Sequence, residues 1–128
     1  MSGISQCAVE HHERKCELMI VGIGIDATSI SRVQNTINQS QNFARQLGVL
    51  SDQKPSENIS NFSIIEAFFK SLGCPTDFNP RDIAIERVNG APTLKFSGAT
   101  KEKMKDTSIY ISVTHLNDMV ISVVIIEK

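Results

Sequence analysis

The sequence predicts a single α+β domain with an early strand, a helical middle and antiparallel hairpins in its C-terminal half. Three observations predict this class. A continuous apolar run occupies residues 18–25, apolar side chains recur at helical spacing in the middle of the chain, and residues 82–126 alternate apolar and polar side chains between turn signals. A chain of 128 residues is large enough for one hydrophobic core but not for two.

The first predicted elements are a strand and a helix. Residues 18–25 combine apolar side chains with two glycines, which is typical of a strand buried on at least one face, and Asp26 closes this run. A helix is expected over residues 28–39, because apolar residues recur at helical spacing and Ser29 is a good N-cap residue. The apolar positions of this helix are Ile30, Val33 and Ile37.

A further helix is predicted over residues 60–72. Ser63 and Glu66 have the spacing of a capping box, and Gly73 is a natural stop. Because most other side chains of this helix are apolar, Glu66 and Lys70, four residues apart on one face, are expected to line a cleft; a surface ion pair is the alternative. The preceding segments are predicted as a short helix over residues 42–50 and a polar, proline-containing loop over residues 51–58.

The C-terminal half predicts two hairpins separated by a short helix. Asn89 and Gly90 are a strong turn signal between two alternating segments. His115 is expected in the turn of the second hairpin, where a solvated or hydrogen-bonded residue is the ordinary interpretation. The predicted elements are a loop over residues 74–80, strands over 82–87 and 93–96, a lysine-rich helix over 98–105, and strands over 108–114 and 119–126 joined by residues 115–118.

Composition and charge argue against several classes of function. With a net charge of −1, the chain has no bulk attraction to nucleic acid or to a membrane surface. No apolar run approaches the ~20 residues of a membrane span, and the first residues lack the basic and apolar regions of a signal peptide. We therefore expect a cytoplasmic protein with no nucleic-acid or membrane partner.

The three cysteines do not form a recognisable framework. Their number is odd and no C-x-x-C motif is present, so no disulfide pattern is implied. Residues 1–16 are expected to be a flexible, polar leader. A zinc site in this leader is the alternative, although adjacent histidines diverge on a helix or a strand. Its ligands would be Cys7, His11, His12 and Cys16.

Two acids in different structural contexts point to metal-assisted chemistry. Asp26 follows the buried strand, and Glu66 lies on the helix over residues 60–72. Carboxylates in such positions are a common way to hold Mg²⁺ against a phosphate group, and Lys70 is then available to bind the phosphate. The alternative for Asp26 is a plain helix cap.

Residues 22–27 also fit the dinucleotide-binding pattern G-x-G-x-x-A. That pattern needs a βαβ unit with an acid about 20 residues further on, where this chain reads FARQ at residues 43–46. It would also direct the Asp26 carboxylate at a pyrophosphate without a cation between them. A dinucleotide-binding oxidoreductase is therefore rejected.

Six short segments follow one another in a fixed order. They read GIGID at residues 22–26, ISRV at 30–33, EAFFKSLG at 66–73, DIAI at 82–85, NGAP at 89–92 and ISVTH at 111–115. Together they resemble the holo-acyl-carrier-protein synthases, the small 4′-phosphopantetheinyl transferases. The resemblance spans residues 19–127 and implies a 4′-phosphopantetheinyl transferase-like fold for one domain over residues 17–128.

The resemblance implies a reaction and its partners. Enzymes of this family transfer the phosphopantetheine arm of coenzyme A to a serine of an acyl carrier protein, a step of fatty acid biosynthesis, and release adenosine 3′,5′-bisphosphate. By analogy, Asp26 and Glu66 would be catalytic ligands of Mg²⁺, and Lys70 would neutralise charge on the leaving side. Arg32 would contact the acidic carrier protein. The family usually forms a trimer with sites between subunits, so a homotrimer is expected. Coenzyme-binding positions implied by the resemblance are Lys70, Asn89, Gly90, Pro92 and His115.

The chain departs from the family pattern in four places. The pattern has an arginine, a lysine, a glycine-rich turn and a small polar residue where this chain has Asn61, Ile65, residues 74–76 and Leu116. Each lost charge-assisted contact to a phosphate is worth ~1.5–3 kcal/mol, so coenzyme binding is expected to be weaker. The alternative function is accordingly a weakened or inactive paralogue that binds a carrier protein or coenzyme A.

Overall fold

The computed structural model describes residues 17–40 and 55–128 of the chain. In this part the chain alternates between strands and helices. The elements are β1 (Ile20–Ser29), α1 (Ile30–Gln39), α2 (Pro55–Ser71), a 3₁₀ turn (Pro80–Asp82), β2 (Ile83–Val88), β3 (Ala91–Phe96), α3 (Gly98–Lys103), β4 (Ser108–Leu116) and β5 (Met119–Glu127). The predicted α+β class is confirmed, with its early strand and its two hairpins.

The strands form two antiparallel sheets. The larger sheet has the order β1-β5-β4, so the early strand pairs with the last strand of the chain. This pairing places Asp26 directly opposite Ser122. The smaller sheet is the β2–β3 hairpin, whose turn residues Asn89 and Gly90 have the positive φ angles, 52° and 82°, that this tight turn requires.

The core lies between α2 and the inner face of the larger sheet. Phe68 on α2 is fully buried and its ring contacts the rings of three other phenylalanines. Val124 and Ile126 supply the inner face of β5. A smaller cluster of Val33, Ile59 and Val120 fixes α1 against α2 and the sheet. These contacts make α2 the central helix of the domain.

Helix α2 approaches β1 unusually closely, because both surfaces are made of small residues. A Cβ atom added to Gly24 would overlap the carbonyl oxygen of Ala67 and lie 2.7 Å from the amide nitrogen of Ser71. An added Cβ at Gly22 would overlap the carbonyl oxygen of Ser71. This close contact brings the end of β1 within hydrogen-bond distance of the α2 side chains.

Several predicted boundaries at the first strand and the central helix are wrong. Strand β1 continues to Ser29, so Asp26 lies inside the β1–β5 ladder and does not cap a helix. Ser29 is the N-cap of α1, and its hydroxyl accepts a hydrogen bond from the Arg32 N–H. Helix α2 begins at Pro55, inside the predicted loop, so Ser63 lies in the middle of the helix and forms no capping box. The predicted stop is confirmed, since Gly73 has a φ of 76° just after α2 ends.

The second hairpin is longer than predicted. His115 pairs with Val120 in the β4–β5 ladder and is a strand residue, because the turn is shortened to Asn117 and Asp118. The Asp118 carboxylate accepts hydrogen bonds from the N–H and hydroxyl of Ser31 at 3.0 and 2.6 Å. The hairpin thereby holds the first turn of α1.

The predicted leader over residues 1–16 and the predicted helix over residues 42–50 lie outside the described residues, as does most of the predicted loop over 51–58. The zinc alternative, with Cys7, His11, His12 and Cys16, lies outside them too. Within residues 17–40 and 55–128, no helix is both long and apolar enough to cross a membrane.

Candidate functional site

The carboxylate of Asp26 is the centre of a buried polar cluster between β1 and α2. Asp26 is only 8% exposed. Its Oδ2 atom accepts hydrogen bonds from the Ser63 hydroxyl at 2.9 Å and from the Thr28 hydroxyl. Its Oδ1 atom forms an ion pair with the Lys70 ammonium at 3.1 Å. All three partners stabilise a charged carboxylate in a place where burial alone would be costly.

Glu66 lies beside this cluster, one helical turn before Lys70. Partial burial, followed by the negative charge of Asp26, raises the pKa of the Glu66 carboxyl above its usual 4.5, and the Lys70 ammonium opposes the rise. The two predicted acids are therefore close enough for their charges to interact. Two carboxylates that repel each other in a half-buried position are suited to share a cation.

The protein alone does not supply a complete metal cage in the described part of the chain. Among residues 17–40 and 55–128, no group of three or more histidine, cysteine, aspartate or glutamate side chains is arranged to hold a metal ion. A pair of carboxylates is nevertheless a usual protein contribution to Mg²⁺, whose other ligands are phosphate oxygens and water. The donor set fits a cation that binds together with a phosphate-bearing substrate.

A separate cleft of about 440 Å³ contains His115. The His115 Nε2 atom lies 2.9 Å from the hydroxyl of Ser60 on α2, and this bond fixes the imidazole against the helix. Gly90 and Arg87 from the β2–β3 hairpin also line the cleft, as does Asn61. Sequence reasoning missed Arg87, which brings a cation to the same cleft as the neutral Asn61.

The structure groups the predicted site residues into more than one place. Asp26, Glu66 and Lys70 lie together, but Asp26 and Glu66 are not among the residues that line the His115 cleft. The coenzyme-binding predictions divide in the same way. His115 and Gly90 line the cleft, whereas Asn89, in the β2–β3 turn, and Pro92, at the start of β3, do not.

Arg32 lies on α1, away from the His115 cleft. It is exposed and lines a groove of about 510 Å³. The groove also contains Thr28, Phe62 and Met119, so its floor is largely apolar. Thr28 belongs both to this groove and to the Asp26 cluster, which places Arg32 near the predicted catalytic acids.

Sequence reasoning also missed the two hydroxyls that hold Asp26. Thr28 lies two residues after Asp26 and therefore on the same face of β1. Ser63 carried a signal that was given another meaning, because the small residues Ser63, Ala67 and Ser71 recur every four positions along one face of α2. Such a stripe is typical of a helix that packs very closely against its neighbour.

The four departures from the family pattern have ordinary structural positions. Asn61 lines the His115 cleft, and Ile65 packs against the main core cluster. Cys74 is exposed, with a φ of 55°, in the turn after α2. Leu116 is exposed at the end of β4.

Comparisons with known proteins agree on one family, although no protein-family model matches the chain. A holo-(acyl-carrier-protein) synthase of Clostridium tetani is 34% identical over 124 residues, which cover 85% of this chain and 97% of that protein. The enzyme of the same name from Maridesulfovibrio salexigens is 32% identical over 126 residues, covering 86% of this chain and all of the relative.

Solved structures lead to the same family. The holo-(acyl-carrier-protein) synthase of Neisseria meningitidis matches with a TM-score of 0.72 and 25% identity, over 86% of this chain and all of that one. The Helicobacter pylori enzyme, solved in complex with coenzyme A, matches with a TM-score of 0.69 and 26% identity, over 81% of this chain and 98% of that one. The chain belongs to the holo-(acyl-carrier-protein) synthases, a family of transferase enzymes.

Proposed function

We propose that the protein transfers the 4′-phosphopantetheine arm of coenzyme A to a serine of an acyl carrier protein, with Mg²⁺ held by Asp26 and Glu66. The observation that carries this proposal is the buried Asp26 carboxylate, oriented by two hydroxyls and a lysine and accompanied by a second acid on α2. The named relatives support the same reaction.

The Mg²⁺ requirement follows from the charges of the reactants. A pyrophosphate and two carboxylates cannot share a site unless a cation lies between them. Bound Mg²⁺ would polarise the phosphate and stabilise negative charge on the leaving group. Asp26 and Glu66 provide the protein ligands, and the half-buried position of Glu66 leaves one side of the pair open to a substrate.

Lys70 has a second role in this proposal. In the absence of ligand its ammonium neutralises Asp26, at 3.1 Å. Nearly half of the Lys70 side chain is exposed, so the ammonium is free to move toward a phosphate when a cation takes its place beside Asp26. A lysine that changes partner in this way would neutralise the departing adenosine 3′,5′-bisphosphate.

The His115 cleft is the proposed coenzyme site. His115 and Arg87 offer donors and positive charge for phosphate groups, and the exposed backbone of Gly90 permits close approach. Asn89 and Pro92 belong to the same hairpin, and we retain them as coenzyme contacts. The Helicobacter pylori relative, solved with coenzyme A, supports this ligand.

A homotrimer would complete the site, since the catalytic acids and the His115 cleft do not share lining residues within one chain. The outer face of β1 supports self-association, because Val21, Ile23 and Ile25 are each about 60% exposed there. Tyr110 on β4 extends the same face. Arg32 would then contact the acidic carrier protein from the rim of this assembly.

A direct test of the proposal is the release of adenosine 3′,5′-bisphosphate from coenzyme A in the presence of an apo-acyl carrier protein. We expect release with Mg²⁺, no release with excess chelator, and at least a hundred-fold slower release by Asp26→Asn. An Asp26→Asn variant with full activity would refute the assignment of the metal site.

The second candidate function is a non-catalytic binding module for coenzyme A or a carrier protein. The neutral Asn61 in the cleft and the core position of Ile65 favour it, because neither residue contacts a phosphate as a cation would. Calorimetry separates the two functions. The transferase requires Mg²⁺-dependent binding of coenzyme A, whereas a module that binds coenzyme A equally well without Mg²⁺ would have lost the catalytic arrangement.

A further inference from the structure

We infer that Thr28 and Ser63 are positioning residues that fix Asp26 so that it binds a divalent cation through one oxygen, Oδ1. This inference rests on the proposed function, because it concerns the same carboxylate. It assigns a role to two residues that do not themselves touch the cation or the substrate.

The hydrogen bonds divide the two oxygens of Asp26 between different tasks. The hydroxyls of Thr28 and Ser63 both donate to Oδ2. The Oδ1 atom accepts only from Lys70 among the hydrogen bonds found in the described part of the chain. The oxygen held by two hydroxyls is committed to the protein interior, whereas the oxygen held by a half-exposed ammonium faces the side from which ligands arrive.

The two hydroxyls are well placed to define an orientation. Ser63 is fully buried on α2, and Thr28 is 7% exposed on β1. They therefore hold the carboxylate from both of the packed elements, so that rotation of the Asp26 side chain would break a bond to the helix, the strand or both. Partners that orient a metal ligand in this way change metal affinity although they do not touch the metal.

Ser122 provides a matched control for the loss of a buried hydroxyl. It lies directly across from Asp26 in the β1–β5 ladder and is fully buried. Its hydroxyl has no hydrogen-bond partner among the described residues. Ser122→Ala therefore removes the same chemical group from the same inner face of the sheet without removing a bond to Asp26.

The experiment measures binding of Mn²⁺, as a paramagnetic substitute for Mg²⁺, by electron paramagnetic resonance of the free ion with coenzyme A present. We expect Ser63→Ala and Thr28→Val each to weaken Mn²⁺ binding about ten- to hundred-fold. Thr28→Ser keeps the hydroxyl and is expected to bind as the wild type does, as is Ser122→Ala. Thermal unfolding of each variant identifies the fraction of folded protein, and affinities are expressed per folded site.

The outcomes separate this inference from the proposed function. If Asp26→Asn abolishes Mn²⁺ binding while folded Ser63→Ala and Thr28→Val bind as tightly as Ser122→Ala, the metal site stands and the positioning role is refuted. If Asp26→Asn binds Mn²⁺ as the wild type does, or the wild type does not bind it, the proposed site is wrong and the positioning role is refuted with it. Loss confined to the two hydroxyl variants supports both.

Discussion

At the scale of single residues, the position of Glu66 beside Asp26 exchanges stability for function. The pKa of the Glu66 carboxyl is raised, mainly by burial, so the folded state binds its proton more tightly than the unfolded state does. The stabilising contribution is complete below pH 4.5, the usual pKa, and is lost as the pH rises through the raised folded-state pKa. An ionised Glu66 therefore lowers the stability of the ligand-free protein at neutral pH.

We predict that Glu66→Gln lowers kcat/KM at least a hundred-fold while the melting temperature at pH 7.5 equals or exceeds that of the wild type. The gain should disappear near pH 4, where Glu66 is protonated in both states. Thermal unfolding at the two pH values, together with a transfer assay, checks this. A variant that is less stable at pH 7.5 than at pH 4, relative to wild type, would show that Glu66 has a supporting partner.

The sequence identifies the two acids but not the residues that hold them. Asp26 and Glu66 stand out because each is a charge within an apolar segment. Thr28 and Ser63 do not stand out, because hydroxyl residues are ordinary in strands and helices and their role depends on a contact between β1 and α2. Arg87 was missed for the same reason, since it reaches the His115 cleft from another element.

At the scale of elements, the contact between β1 and α2 positions the catalytic acids. We predict that Gly24→Ala lowers stability by about 1–3 kcal/mol and reduces transfer sharply, because the added Cβ overlaps the Ala67 carbonyl and moves the strand away from the helix. Gly73→Ala is the control. Its Cβ meets no atom within 4 Å, and its φ of 76° costs only about 1–2 kcal/mol of backbone strain.

Chemical denaturation and kcat/KM, measured on folded protein, distinguish the two glycine variants. Gly73→Ala is expected to lose stability but to keep its activity per folded molecule. Equal activity of Gly24→Ala and Gly73→Ala would contradict the view that close packing of β1 on α2 positions the site.

The β4–β5 turn stabilises α1 through Asp118. Hydrogen bonds from the Ser31 hydroxyl, the Ser29 hydroxyl and the Ser31 N–H lower the pKa of the Asp118 carboxyl below its usual 3.8. This contribution to stability is present above pH 3.8 and is lost as the pH falls through the lowered pKa. We predict that Asp118→Ala lowers the melting temperature by a few degrees at pH 7 and by much less at pH 2.5. A deficit of the same size at both pH values would exclude the charge as its cause.

Local signals predict elements well where one short motif decides the geometry. Asn89 and Gly90 fix the β2–β3 turn, because both adopt positive φ angles at little cost. The end of β4 was misplaced because His115 has no local strand signal and is held by its pairing with Val120. The start of α2 was misplaced because polar residues before Ile59 suggest a loop, although Asn58 and Ser60 are buried in the helix.

At the scale of the whole molecule, the outer face of β1 is the proposed contact between subunits. We predict that Ile23→Glu converts a trimer to monomers and reduces transfer at least ten-fold, because a charge cannot be buried in an apolar interface without a partner. Val88→Glu is the matched control, since Val88 on β2 is 55% exposed and Ile23 is 62% exposed. Sedimentation velocity and activity are measured on both variants. A trimeric, active Ile23→Glu variant would exclude this face.

The overall architecture was predictable in class but not in its strand order. The chain shows an early strand and two hairpins, yet no local feature states that β1 pairs with β5 over nearly the length of the chain. That pairing is selected by burial, because the apolar inner face of β5 needs both neighbours to be covered. The family resemblance supplied what local patterns did not.

The measurement that tests the central claim most directly is the intact mass of a purified apo-acyl carrier protein after incubation with coenzyme A, Mg²⁺ and this protein. We predict a mass increase equal to one phosphopantetheine arm with the wild type and none with Asp26→Asn. No increase across several carrier proteins, with folded protein and an active control enzyme, would contradict transfer and favour the binding module. An increase with Asp26→Asn would leave the reaction standing and overturn its metal site.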